Sequence, residues 1–367
     1  MALCRLIMKN RSLLFIATAA LFIYSCTGCK DSSKNNQVDS VDITLFSPGA
    51  YSYSSGDTVK IMAKYPASLK VDSVVYSLDS VRIASVKDSA YIQILTDTMK
   101  LGNKLVSAKI YQGGKIQDVS TSIFLKSANE PEKLTYKVIK KFPHDTLAYT
   151  EGLLYQDGYL YESTGNKGQS DIRKVELETG KVVQRQKLAD KYFGEGSAIV
   201  GDKIVMFTYK DKVGFVFDKN TLKPLSQFTN NVGIEGWGVT YDGNKIYLDD
   251  STNRIWFLDK NDYHQTGFID VYDNHGPVEQ INELEYIDGK IYSNIYTYDT
   301  IIIIDPKTGA VLQSVNMENL WPQADRPKKF DYDNNVLNGI AWDAKGKRLF
   351  VTGKKWPWVY QVEFVRK

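Results

Sequence analysis

Five times in its C-terminal part the chain repeats one short pattern: an acid or amide, usually beside glycine, then an apolar run, then a turn. The openings are Glu151-Gly152, Glu195-Gly196, Glu235-Gly236, Asn282-Glu283 and Asn338-Gly339, at spacings of 44, 40, 47 and 56 residues. The turns that follow are Asp157-Gly158, Gly201-Asp202, Asp242-Gly243, Asp288-Gly289 and Lys345-Gly346. Repeats of about 40–50 residues with several strands each mark a β-propeller, and five of them predict five blades. Equivalent residues of each blade face one axis, so these acids and amides are expected to ring a central channel. The last repeat, Asn338 to Val365, is too short for four strands. The run Leu134 to Phe142, ahead of the first repeat, is expected to complete it and so remove open sheet edges.

The rest of the chain reads as a second, smaller β unit behind an export signal. Residues 41–127 alternate in short strand-like runs, among them Val59 to Ala63, Ser73 to Tyr76, Leu105 to Tyr111 and Thr121 to Leu125, which predict an immunoglobulin-like sandwich. Ala128 to Lys133 reads as the linker to the propeller at 134–367. At the other end, Lys9 and Arg11 precede an apolar run from Leu13 to Tyr24, too short for a membrane span of about 20 residues. Ser25-Cys26 then resembles a bacterial lipoprotein cleavage site, with 1–25 as signal, Cys26 as the lipidated residue, Cys29 as its competitor, and 26–40 as a flexible tether. This predicts a lipid-anchored protein of the bacterial cell envelope. All three cysteines lie at this end, so no thiol of the exported body can be a nucleophile or metal ligand. With 46 basic and 43 acidic residues and no basic stripe, nucleic acid is not an expected partner. A monomer is expected.

Five stretches go beyond generic propeller sequence. They are Phe142-Pro143-His144-Asp145 with Tyr149-Thr150-Glu151-Gly152-Leu153; Tyr192-Phe193-Gly194-Glu195-Gly196; Glu235-Gly236-Trp237-Gly238; Asn282-Glu283-Leu284-Glu285; and Leu337-Asn338-Gly339-Ile340-Ala341 with Thr352-Gly353-Lys354-Lys355-Trp356-Pro357. In this order, one per repeat, they resemble the plant-type glutaminyl-peptide cyclotransferases, a family with bacterial members, over about Lys137 to Phe364. The resemblance implies conversion of N-terminal glutaminyl residues of peptides or proteins to pyroglutamate, with release of ammonia. It also implies that no metal or other cofactor takes part.

The same resemblance implies roles. Glu195 is the general acid/base, Lys354 stabilises negative charge or binds the amide oxygen, and Asn282 contacts the substrate. Trp237 and Phe193 wall the pocket. Tyr149, Tyr209 and Tyr296 stand where other aromatics are common, so they remain wall residues with an added hydroxyl. Glu151 replaces a usual Gln, and a second carboxylate near Glu195 would raise the pKa of one of the pair or receive the substrate's α-ammonium.

Blander readings apply to much of the ring. Glu235, Glu283, Glu285 and Asn338 read as structural polar groups of the channel, Trp256, Trp342 and Trp358 as packing, and Asp249-Asp250-Ser251 as a turn. The three histidines, His144, His264 and His275, do not sit at metal-ligand spacing. The rival to an enzyme is a propeller that binds peptides or glycans without turnover. A weaker alternative is a metal-dependent propeller hydrolase.

Overall fold

The structure is a computed structural model that describes residues 43–46 and 51–367. The expected signal segment, Cys26 and the whole of the expected tether at 26–40 lie outside the described residues.

Apart from one 3-10 turn at Gln323–Asp325, the described elements are all β-strands. The N-terminal unit has two sheets. Thr44–Phe46, Thr58–Lys64 and Ile92–Leu95 form one, and Ser52–Ser54, Lys115–Lys126, Gly102–Gln112, Ser73–Leu78 and Val81–Val86 form the other. Their alternating residues explain the pairing. Val59, Ile61, Ala63, Val74 and Tyr76 are fully buried while their neighbours along the strands are more exposed, as period-two patterning requires. The Tyr76 hydroxyl accepts the Ala63 backbone N–H at 2.7 Å and so ties one sheet to the other. Val81–Val86 is a sheet edge, and its side chains alternate little in burial.

The repeats form antiparallel four-stranded units. The first three are separate sheets: Thr150–Gln156 through Val182–Lys187, Gly194–Val200 through Pro224–Thr229, and Val239–Tyr241 through Gln265–Asp270. The remaining strands make one eight-stranded sheet with two halves. One half is Ile281–Ile287, Lys290–Ile295, Thr300–Ile304 and Val311–Asn316. The other is Leu337–Asp343, Arg348–Gly353 and Trp358–Arg366, completed by Glu132–Pro143. That early strand runs antiparallel along Trp358–Arg366 from Pro143 to Leu134, so it closes the last repeat as expected. It begins at Glu132, inside the segment read as a linker, and its first residues also pair in parallel with Gln313–Val315.

Closure brings the first and last repeats together. Phe142, Leu153, Leu160, Val175, Ala341, Phe350 and Val359 form one buried cluster across that seam. Burying each large apolar side chain is worth about 1.5–3 kcal/mol, so the seam is held by the same force as an ordinary core. Around the axis the inner strands approach closely enough to exclude side chains. A Cβ on Gly196 would collide with Trp237 O and lie 2.7 Å from Val239 N, and one on Gly152 would lie 2.9 Å from Ser197 N. These are backbone atoms and cannot swing away. We therefore predict that Gly196→Ala destabilises the protein by at least about 1–3 kcal/mol in urea unfolding. An unchanged midpoint would show that the inner strands have slack.

Candidate active site

The innermost strands aim their side chains through a shared irregularity. Register shifts occur between Thr150 and Gly152, Gly194 and Ser197, Ile281 and Leu284, and Leu337 and Ile340. Such a bulge adds a residue and re-aims the side chain beside it. Glu151, Glu195, Asn282 and Asn338 all sit at this position. The pairing also corrects the third repeat. Val239 pairs with Leu248 as Ser197 pairs with Met206, so the equivalent of Glu195 is Trp237, and Glu235 lies two residues too early. Glu235 does not face the axis as expected. It accepts the Trp237 indole N–H at 2.8 Å and pairs with exposed Lys210 at 2.9 Å.

All nine residues expected to act on or contact substrate line one cavity of about 200 Å³: Tyr149, Glu151, Phe193, Glu195, Tyr209, Trp237, Asn282, Tyr296 and Lys354. Clefts of about 500, 410 and 620 Å³ lie elsewhere, and none contains any of these nine. The small cavity is below the roughly 300–1,000 Å³ of drug-sized pockets and suits one amino-acid residue. Its wall is a belt of rings. Tyr149 meets Phe193 edge-on, Phe193 is 5.5 Å from Tyr209, and Trp237 is 5.3 Å from Tyr296. The Lys354 ammonium closes the belt, 4.6 Å from the centre of the Tyr149 ring and 5.5 Å from that of Tyr296.

Inside the belt is a buried charge cluster. Lys354 Nζ lies 2.7 Å from Glu151 Oε2, and neither side chain is more than 5 % exposed. Asn338 Nδ2 donates to the same oxygen at 3.4 Å and to Thr150 O at 2.9 Å. Glu195 and Glu151 are hydrogen-bonded to each other. Burial and the Glu151 charge push the Glu195 carboxyl well above the usual range, with Lys354 opposing. Burial also raises Glu151, but Lys354 and the Glu195 hydrogen bond pull it back. The proton of the pair therefore belongs on Glu195, which donates it to Glu151. Burial pushes the Tyr149 hydroxyl up to about 12, so it stays protonated.

Lys354 owes its place to a tight turn. Gly353 leaves room for the Trp356 ring, which a Cβ would strike, and Lys355 adopts a positive φ of 60°. Lys354 N donates to Val336 O at 2.9 Å and Lys355 N to Ala148 O at 2.7 Å. His144 fastens the far side: its backbone N–H donates to Pro357 O, and Nδ1 lies 2.7 Å from Trp356 O. Its Nε2 is 3.0 Å from Glu162, which also accepts the Thr150 hydroxyl at 2.7 Å. His144 lies within a sequence motif that assigns it no role, and nothing in that motif points to Glu162. The other expected structural groups are in place. Glu283 accepts Leu153 N and Ile340 N at 3.1 and 2.8 Å, and Glu285 accepts Trp342 N at 2.9 Å. Trp358, expected to pack, is 37 % exposed. The chain bends at Ser251, which has a positive φ of 77°; the Thr252 hydroxyl donates to Asp250 at 2.6 Å, and buried Asp249 accepts Gly238 N at 2.9 Å.

Comparison with known proteins agrees with this geometry. A sequence profile of the glutamine cyclotransferase family matches residues 112–364. The chain belongs to the glutamine cyclotransferase family. It is 37% identical over 228 residues to a glutaminyl-peptide cyclotransferase of Arabidopsis thaliana, spanning 62% of this chain and 70% of the plant protein. It also superposes on the crystal structure of Myxococcus xanthus glutaminyl cyclase with a TM-score of 0.59 and 30% identity, over 64% of this chain and 98% of that one. The family match takes in the ring of repeats and leaves most of the N-terminal unit outside it.

The His144–Glu162 pair sets a pH window for this member of the family. His144 is raised by Glu162 and by the Trp356 carbonyl, against burial, while Glu162 is lowered by His144 and Arg173, against burial. The histidine part of this stability is complete below about 6.5 and is lost as pH rises through the raised value. The glutamate part is complete above about 4.3 and is lost as pH falls through the lowered value. We predict that Glu162→Gln costs about 3–5 kcal/mol at pH 5–6, as loss of one partner of a buried pair does, and less at pH 9. A penalty constant across that range in thermal unfolding would contradict the pairing.

Proposed function

We propose that the pocket cyclises an N-terminal glutaminyl residue of a peptide or protein to pyroglutamate, with Glu195 as the proton carrier. The observation that supports this most strongly is that all nine residues expected from the family's motifs converge on one cavity of single-residue size. The α-amine nitrogen attacks the side-chain carboxamide carbon of the same residue. A ring C–N bond forms and the carbonyl oxygen gains charge, which in this reading Lys354 and Asn282 stabilise. Protonated Glu195 gives its proton to the departing nitrogen as the old C–N bond breaks and ammonia leaves. The resulting carboxylate then takes the extra proton from the new ring nitrogen, which restores the starting state. The aromatic belt holds the glutamine methylenes and keeps the side chain bent, the part of the barrier that intramolecular reaction relieves.

Metal independence belongs to the same reading, because the ammonium of Lys354 already neutralises the carboxylates a cation would need. The finer architecture in this reading is a five-bladed propeller at 134–367 behind an immunoglobulin-like sandwich at 41–127. The envelope address and the Cys26 anchor complete it, supported by the signal-like N-terminal sequence. The protein is read as a monomer.

Two outcomes test the chemistry. Purified protein is expected to release ammonia from Gln-initiated dipeptides in the presence of chelator, and Glu195→Gln to lower kcat about 10²–10⁴-fold, the usual share of a proton-transfer group. Full activity in that variant would refute the assignment. Glu151→Gln removes the charge that raises Glu195 and frees Lys354 to lower it further. Activity that needs protonated Glu195 then fails at lower pH, so the alkaline limb of kcat/KM is expected to move down; an unmoved limb would mean that Glu151 does not set the Glu195 proton.

A further inference from the structure

The long connection between Val311–Asn316 and Leu337–Asp343 is folded against the pocket. Its base is firmly held: Trp321 is buried against Trp356 and Phe330, Asn335 O accepts the Trp356 indole N–H at 2.8 Å, and Val336 O accepts Lys354 N at 2.9 Å. Its tip is an exposed turn closed on itself by Asp331. One Asp331 oxygen accepts Asp333 N and Asn334 N at 3.2 Å each, the other accepts Asn334 Nδ2 at 3.0 Å, and Asp331 O accepts Asn335 N at 2.8 Å. Two pocket tyrosines reach this tip with their hydroxyls. Tyr149 donates to Asn334 Oδ1 at 3.3 Å and Tyr296 to Asp333 O at 3.5 Å.

These two rings flank Lys354 within the aromatic belt, so the tip bridges the pocket rim on the lysine side. A peptide whose first residue fills a cavity of about 200 Å³ passes the pocket rim with its second residue, and the tip covers part of that rim. We infer that Asp331–Asn335 is a strap that determines substrate specificity by restricting the side chain that follows the N-terminal glutamine. The inference rests on the cyclisation reading and names what that reading leaves open, the kind of peptide accepted: one with a small second residue. The unequal bonds fit such a role. The base contacts are short and buried, whereas the two tip contacts are long and lie near solvent, so the tip is the part that yields.

The test compares kcat/KM for Gln-Gly-amide and Gln-Trp-amide in the full protein, in Asn334→Ala, and in Tyr149→Phe/Tyr296→Phe, which keeps both rings and removes only the hydroxyls. Wild type is expected to favour Gly over Trp. Both variants are expected to shrink that preference about tenfold, the scale on which pocket shape discriminates between side chains, mainly through KM for the Trp substrate. Equal use of the two substrates by wild type, or an unchanged ratio in both variants, would overturn the strap while leaving the cyclisation reading intact. Absence of ammonia release from either substrate by wild type would overturn the cyclisation reading and the strap with it.

Discussion

The buried pair between Lys354 and Glu151 depends on the whole ring being closed. Glu151 belongs to the first repeat and Lys354 to the last, and their atoms meet at 2.7 Å only because Glu132–Pro143 completes the final sheet beside Trp358–Arg366. Removing two charges from water costs several kcal/mol each, so such a pair persists only where geometry and further hydrogen bonds offset that cost. Asn338 supplies one such bond from the last repeat and Glu195 another from the second. Closure of the fold and assembly of the site are thus one event. A ring that opened at the seam would separate Lys354 from Glu151 and lose the pair.

The same economy of polar groups runs along the axis. Where the first, second, third and fifth repeats have Gly152, Gly196, Gly238 and Gly339, the fourth has Glu283. Its carboxylate reaches across to accept Leu153 N and Ile340 N from the first and fifth repeats, which joins three inner strands through one side chain. Asp249 and Glu285 serve neighbouring backbone groups in the same way, and burial raises the pKa of all three acids, Glu285 to about 8. These acids differ from Glu195 in having their oxygens committed to backbone donors. A raised pKa alone does not set the Glu195 carboxyl apart on this axis; a partner that carries charge and an open cavity do.

Much of this was legible in the sequence. The period of the acid-glycine openings located the inner strands, and the quoted motifs hold seven of the nine cavity residues, Tyr209 and Tyr296 lying outside them. The misplacement of Glu235 shows the limit. A repeat defined by residue type cannot see that the third inner strand starts at Val239, so the register moved by two and Trp237 took the axial position. His144 and Glu162 were hidden for a related reason: they meet from positions 18 residues apart, and His144 reaches Trp356 O, a backbone atom that no side-chain motif encodes. The strap was invisible as well. Tyr149 and Tyr296 could be read as rings with added hydroxyls, but only the folded loop shows where those hydroxyls go.

The proposed chemistry depends on a proton resting on Glu195. Carbon-13 NMR titration of protein labelled at glutamate side-chain carboxyls, compared with Glu195→Gln, measures it directly. A carboxyl resonance is expected to titrate well above the usual value of about 4.3 and to vanish in the variant. If every resonance that Glu195→Gln removes titrates in the ordinary range, Glu195 enters the reaction ionised and the proposed order of proton transfers is wrong.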